Sequence, residues 1–119
     1  MMEAVLERAR VLIVEDDPDS RELLGELLEE RFEVTTASDG QEGLATFRRD
    51  RPDVMVTDQC LPDMEGTTLA RDLKALFPSA SVVLLSGHGR IEHTEACDAV
   101  LSKPVDLEKL TAAIEAVLS

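Results

Sequence analysis

Short apolar runs alternate along this chain with longer stretches whose leucines recur at three- and four-residue spacing. Val11-Leu12-Ile13-Val14 is the first run. Its length suits a strand buried on both faces, and it closes on Glu15-Asp16-Asp17. Pro18 and Asp19 open a helix, with Leu23, Leu24, Leu27 and Leu28 as its apolar stripe. Phe32-Glu33-Val34-Thr35-Thr36 alternates and is β-branched, which predicts a second strand nearer a sheet edge. Asp39-Gly40 turns the chain into a second helix, anchored by Leu44 and Phe47 and ended before Pro52. Val54-Met55-Val56 forms the third strand, with Asp58 where the run ends and with Pro62 and Gly66 punctuating the loop beyond it. Leu69, Leu73 and Leu76 share one face of a third helix, stopped by Pro78. Val82-Val83-Leu84-Leu85 is the fourth strand and Val100-Leu101 a brief fifth. Asp106 then caps a last helix faced by Leu107, Leu110, Ile114 and Val117.

Strands alternating with helices predict an α/β fold in which a parallel, doubly wound, five-stranded sheet carries helices on both faces. Short connections make the crossovers right-handed. One crossover is cramped. Only residues 87–98 separate Ser86 from Ala99, and a crossover with its helix needs at least about 10–12 residues. The helix between the fourth and fifth strands is therefore expected to be shortened or missing. Residues 1–9 read as an N-terminal extension and residues 10–119 as one domain, long enough for a proper core.

Charge narrows the function classes. With 25 acidic against 12 basic residues, the formal charge is −13. That disfavours direct binding to a nucleic-acid backbone or an anionic membrane, and suits a chain that holds a cation or meets a basic surface. No apolar run is long enough to span a bilayer. Cys60 and Cys97 share no motif spacing and read as free thiols in a reducing cytoplasm.

Candidate chemistry gathers where strands end. Glu15 and Asp16 follow the first strand, Asp58 ends the third, Ser86 ends the fourth and Lys103 follows the fifth. Each alone has a plain reading: a capping cluster, a turn residue, a surface lysine. Together, at the ends of successive parallel strands, they face one cleft, because such sheets place ligands at their carboxyl ends. Two unit charges ~4 Å apart cost about 4 kcal/mol at an effective dielectric near ~20, so three carboxylates there call for a cation. An all-oxygen set suits Mg²⁺, whereas Zn²⁺ would want His or thiolate ligands. His88, His93 and Cys97 do not have standard zinc spacing.

From Val11 to its end the chain resembles a response-regulator receiver domain of two-component signalling. The resemblance rests on Val11-Leu12-Ile13-Val14-Glu15-Asp16-Asp17-Pro18, Asp58 with Leu61-Pro62 and Gly66, Ser86-Gly87, and Lys103-Pro104. It implies the flavodoxin-like strand order 2-1-3-4-5. It also implies that Asp58 accepts a phosphoryl group from a histidine kinase or a phosphotransfer protein in a phosphorelay. Glu15 and Asp16 would hold Mg²⁺, Asp16 the more direct ligand, with Asp58 and the Cys60 backbone carbonyl completing the protein share. Lys103 would pair with Asp58 and later with the phosphoryl group, Ser86 would move onto the phosphoryl oxygens, and the Lys103–Pro104 bond would be cis. Such a domain is no enzyme beyond Mg²⁺-assisted self-phosphorylation and autodephosphorylation, and it acts by switching the binding of a downstream protein.

Two positions depart from the family pattern. Val100 stands where receivers usually carry an aromatic residue that turns inward with the Ser/Thr. His88, two residues past Ser86, falls at a position lining the phosphorylation pocket; it reads either as a loop histidine or as a group touching the attacking water. A rival reading keeps the fold as a pseudo-receiver, an interaction module not regulated by phosphorylation. Another is an Mg²⁺-dependent phosphohydrolase with Asp58 as nucleophile, but Cys60 occupies the position two residues on, where that chemistry wants a general acid. A shortened fourth crossover leaves little area for pairing through that side, so the domain is expected to be monomeric.

Overall fold

The computed structural model describes residues 8–87 and 91–119. Strands β1 (Arg10–Val14), β2 (Glu33–Ala37), β3 (Val54–Asp58), β4 (Val82–Ser86) and β5 (Ala99–Ser102) form one sheet in the order β2-β1-β3-β4-β5. Every pairing is parallel. Helices α1 (Pro18–Leu28), α2 (Gly40–Asp50), α3 (Gly66–Leu76) and α4 (Leu107–Leu118) connect or follow the strands. The doubly wound fold and the strand order are as expected. Among the described residues no helix lies between β4 and β5. Instead the Asp98 carboxylate accepts from the Val82 N–H (2.8 Å) and from Lys74 Nζ (2.7 Å), tying the end of that short crossover to β4 and α3.

The sheet separates two cores. Val11, Ile13, Val54, Val56, Val83 and Leu85 point to one side, where Leu28 of α1 and Leu110 and Ile114 of α4 cover them. Leu12, Val14, Met55 and Val82 point to the other, under Phe47 of α2 and Leu69, Ala70 and Leu73 of α3. The alternation within each run follows from the two-residue repeat of a strand, and burial of both faces explains why the runs carry no polar residue before their ends.

Side-chain acceptors start three of the helices. Asp17 accepts from the Ser20 N–H, Asp39 from Glu42, and Asp106 from Glu108 and Lys109. Each replaces a partner that the first turn of a helix cannot supply.

Several boundaries and faces differ from the sequence reading. β2 runs one residue later, because Phe32 closes the turn after α1 by donating to the Leu28 carbonyl and is itself buried. β5 extends to Ala99–Ser102. The α1 stripe is only half used: Leu28 is buried and Leu24 packs against the core, whereas Leu23 and Leu27 are 58% and 39% exposed. Adjacent leucines point about 100° apart on a helix, so only one of each pair can face the sheet. On α3 the inward face is Leu69, Ala70 and Leu73, and Leu76, in the last turn, is exposed. On α4, Leu110 and Ile114 are buried while Leu107 sits at the exposed first turn.

Candidate phosphoacceptor and metal site

Parallel strands deliver their C-terminal ends to one edge of the sheet, and that edge carries the site. Asp58 is the last residue of β3 and is buried, as is Glu15, whose N–H extends the β1 ladder by donating to the Ala37 carbonyl. Asp16 is exposed beside them. One carboxylate oxygen from each of Glu15, Asp16 and Asp58 lies within 4.8 Å of the others, and among the described residues only this group could hold a metal through side chains.

Lys103 reaches into the cluster from the loop after β5. Its Nζ lies 2.8 Å from Asp58 Oδ1 and 3.6 Å from Glu15 Oε1. The following Lys103–Pro104 bond is cis, as the resemblance implied. The Lys103 N–H donates to the Ser86 carbonyl (2.7 Å), which fastens this loop to the end of β4. Burial works against the Lys103 ammonium, but the Asp58 hydrogen bond and the charges of Asp58 and Glu15 outweigh it and raise its pKa above the ordinary lysine value. Burial raises the pKa of Glu15, and the charge of Asp58 adds to it. The Asp17 N–H and Lys103 pull the other way without cancelling the rise.

The three neighbouring acids divide by role. Asp17 turns away to cap α1, and its hydrogen bond with Ser20 holds its carboxyl below the usual range. The Asp17 N–H donates to Glu15 Oε2 (3.1 Å), and Arg21 Nη1 donates to the carbonyls of Glu15 (2.9 Å) and Asp16 (3.3 Å). Arg21 thereby holds the backbone that presents the two carboxylates, a part the periodicity of α1 did not reveal.

Two residues of the loop after β3 have contacts that the sequence does not show: Gly66 reads there as punctuation and as part of the resemblance, and Asp63 does not stand out. A Cβ on Gly66 would lie 2.4 Å from the Asp58 carbonyl oxygen and 2.7 Å from Leu84 Cδ1, and the Gly66 N–H donates to the Gln59 carbonyl at 2.7 Å. Glycine is required there because α3 begins in contact with the backbone at the end of β3. Asp63, in the same loop, accepts from the N–H groups of Gly40 and Gln41 at the start of α2. Burial opposes its ionisation, yet these backbone hydrogen bonds prevail and hold its carboxyl below the usual range.

Of the remaining expected residues, Ser86 is buried at the end of β4 and Val100 is 44% exposed on β5. Cys60 is exposed and bridges to Glu65 across the loop after β3. His88 lies outside the described residues. The donor set fits a hard divalent cation: three carboxylates lie together, two of them against one ammonium, and neither imidazole nor thiolate belongs to the group. A lysine and a small group of oxygen ligands around one buried aspartate can neutralise charge developing during phosphoryl transfer.

Comparison with known proteins agrees with this geometry. The sequence model of the response regulator receiver domain matches residues 11–115. The transcriptional regulatory protein GlrR of Escherichia coli is 34% identical over 92% of this chain and 26% of its own length. The response regulator PleD of Caulobacter vibrioides is 38% identical over 82% of this chain and 23% of its own. The chain thus spans about a quarter of the length of these relatives. Among solved structures, a receiver domain protein from Clostridium thermocellum superposes with a TM-score of 0.87 at 31% identity, covering 92% of this chain and 94% of that one. The response regulator TrrA of Thermotoga maritima, solved with Mg²⁺ and beryllofluoride, superposes at 0.85 with 29% identity, covering 92% and 99%. The chain belongs to the response regulator receiver domain family.

Proposed function

We propose that Asp58 receives a phosphoryl group from the phosphohistidine of a histidine kinase or phosphotransfer protein, and that the phosphorylated domain changes its affinity for a downstream protein. The observation that carries this is the contact of Lys103 Nζ with Asp58 Oδ1 inside a cluster of three carboxylates. Lys103 and the Gln59 N–H both fall on Oδ1, which leaves Oδ2 as the attacking oxygen. Oδ2 bonds to phosphorus as the P–N bond breaks, and the donor imidazole leaves with that electron pair. Lys103 offsets charge on the transferred group and Ser86, at the neighbouring strand end, supplies a hydroxyl to it. Glu15, Asp16, Asp58 and the Cys60 carbonyl would hold Mg²⁺, which when bound neutralises the phosphoryl oxygens.

The surface beside the site suits a phosphodonor. A groove of about 330 Å³ is lined by Leu23, Leu24 and Leu27 of α1 and by Pro104 and Val105, and it opens on Glu15 and Lys103 themselves. The exposed leucines of α1 give a donor helix an apolar shelf within reach of Asp58.

Incubation with acetyl phosphate and Mg²⁺, followed by intact-mass spectrometry, tests the reading. One added phosphoryl group, absent in Asp58→Asn, is the expected result. No uptake in the wild-type protein would favour the pseudo-receiver, and continuous turnover the phosphohydrolase.

A further inference from the structure

On the face of the sheet opposite α1, a groove of about 500 Å³ runs between α2 and α3, lined by Gln41, Leu44, Ala45, Arg48, Arg49 and Leu76. Leu76 is 50% exposed at one wall. The rim is basic in a chain of net charge −13: Arg48 and Arg49 are two of its 12 lysines and arginines. Arg49 is paired with Asp50, whereas Arg48 has no ion-pair partner among the described residues. Arg51 lies outside the groove, in the neighbouring pocket, with its guanidinium stacked 4.1 Å from the centre of the Phe77 ring and its Nε donating to the Arg48 carbonyl. An apolar trough with an arginine rim, on a molecule acidic elsewhere, matches an acidic amphipathic helix. Leucines four residues apart would fill the trough and flanking glutamates would meet the arginines. A nucleic-acid backbone would find the arginines but no use for the trough.

This groove is joined to the phosphoacceptor loop. Asp58 is followed by Gln59, whose carbonyl accepts from Gly66 and whose side-chain oxygen accepts from the Thr67 N–H, so the loop closes on itself at the root of α3. From its tip, Asp63 grips the Gly40 and Gln41 N–H groups at 2.8 and 2.9 Å, and Met64 covers Gly40 so closely that a Cβ there would lie 2.6 Å from its sulfur. Gln41 is both a ligand of that grip and a wall of the groove. A shift of the loop on phosphorylation would therefore move α2 against α3.

We propose that the α2–α3 groove is the docking surface for an acidic amphipathic helix of a downstream protein, and that Asp63 transmits the state of Asp58 to it. The second half rests on the phosphoacceptor function proposed above. Among the described residues the crossover between β4 and β5, which packs on this same face, offers no helix, so α2 and α3 supply the helical surface there.

The test is titration of the ¹⁵N-labelled full chain with a synthetic helical peptide carrying two leucines four residues apart between glutamates. Amide shifts at Leu44, Ala45, Arg48 and Leu76 are expected, with affinity reduced about tenfold in Arg48→Glu and again in Leu76→Asp, both exposed positions that leave the core untouched. Beryllofluoride with Mg²⁺ should change the peptide affinity of the wild type and leave that of Asp63→Ala unchanged. Absence of binding, equal binding of a peptide with the same composition and scrambled leucines, binding of a DNA oligonucleotide in place of the peptide, or shifts confined to α1 would each overturn the docking surface. If beryllofluoride moves the Gln59 and Lys103 amides but not the peptide affinity, the link through Asp63 fails. If it moves neither, the phosphoacceptor reading fails, while the groove stands or falls on the peptide titration alone.

Discussion

Lys103 Nζ sits 2.8 Å from Asp58 Oδ1, although 44 residues of chain lie between the two positions. The pair is a standing charge balance: one ammonium serves two buried carboxylates, since Glu15 Oε1 is 3.6 Å away. Because the Lys103 pKa is raised, the stability from this pair is fully present below the ordinary lysine pKa and is lost as pH rises through the raised one. Lys103→Ala should lower phosphoryl uptake from acetyl phosphate by about 10²-fold and leave the far-UV circular dichroism intact. Uptake at the wild-type rate would remove Lys103 from the mechanism.

Glu15 has the same sign of pH dependence, in a lower range. Its carboxyl pKa is raised by burial, so folding makes it easier to protonate than in the unfolded chain; the associated stability is present below the ordinary glutamate pKa and is lost as pH rises through the raised value. Without Mg²⁺ at neutral pH, Glu15→Gln should therefore raise stability by about 1 kcal/mol in urea titration while weakening Mg²⁺ binding. The gain should shrink in acid, where the wild-type carboxyl is already protonated. A destabilised variant at pH 7 would show that the Lys103 contact outweighs the burial.

Asp16 and Asp17 are neighbours with separate duties. Asp16→Ala should reduce Mg²⁺ affinity by about tenfold or more, since it removes one carboxylate of the cluster. Asp17→Ala should leave Mg²⁺ affinity nearly unchanged and lower the thermal midpoint, because it removes the α1 cap. Calorimetric Mg²⁺ titration of both variants decides it. Equal losses of affinity would place the acidic run in a different register.

Gly66→Ala should cost about 1–3 kcal/mol in chemical denaturation and slow phosphoryl uptake, because the added Cβ collides with the Asp58 carbonyl oxygen, a backbone atom, and with the fully buried Leu84 side chain. Gly25→Ala is the control. Its Cβ would meet only ordinary contacts at 3.8 and 3.9 Å, and alanine favours the helix. Similar losses for the two would mean that the close approach at Gly66 is relieved elsewhere.

Activation should not pair two copies through the side of the sheet next to β5. Residues 91–98 carry no helix and are held down by Asp98 on Lys74 and Val82. Sedimentation velocity with and without beryllofluoride and Mg²⁺ should show one monomeric species. A shift to dimer that is abolished by substitutions in Ile91–Glu95 would contradict this.

Local chemistry made much of this protein legible from its residues. Apolar runs of four residues demanded strands covered on both faces, and Asp106 marked the cap of the last helix. Asp17 reads only within a capping cluster and Asp39 as a turn; the structure makes both of them caps. The order of polar residues at successive strand ends brought Glu15, Asp16, Asp58 and Lys103 together in advance, because parallel crossovers return every strand in the same direction. The short segment before β5 could be counted. Tertiary structure alone decided what depends on how elements are rotated and how closely they approach. It chose Leu24 and Leu28 over Leu23 and Leu27, since adjacent helical leucines diverge and the sheet accepts one direction. It made Gly66 a contact with β3 and Asp63 a grip on α2, pairings between elements that leave no periodic trace in a linear chain. It also set Arg48 and Leu76 on one groove, because the packing of α2 beside α3 is fixed by the shape of the core beneath them and by nothing in either helix alone.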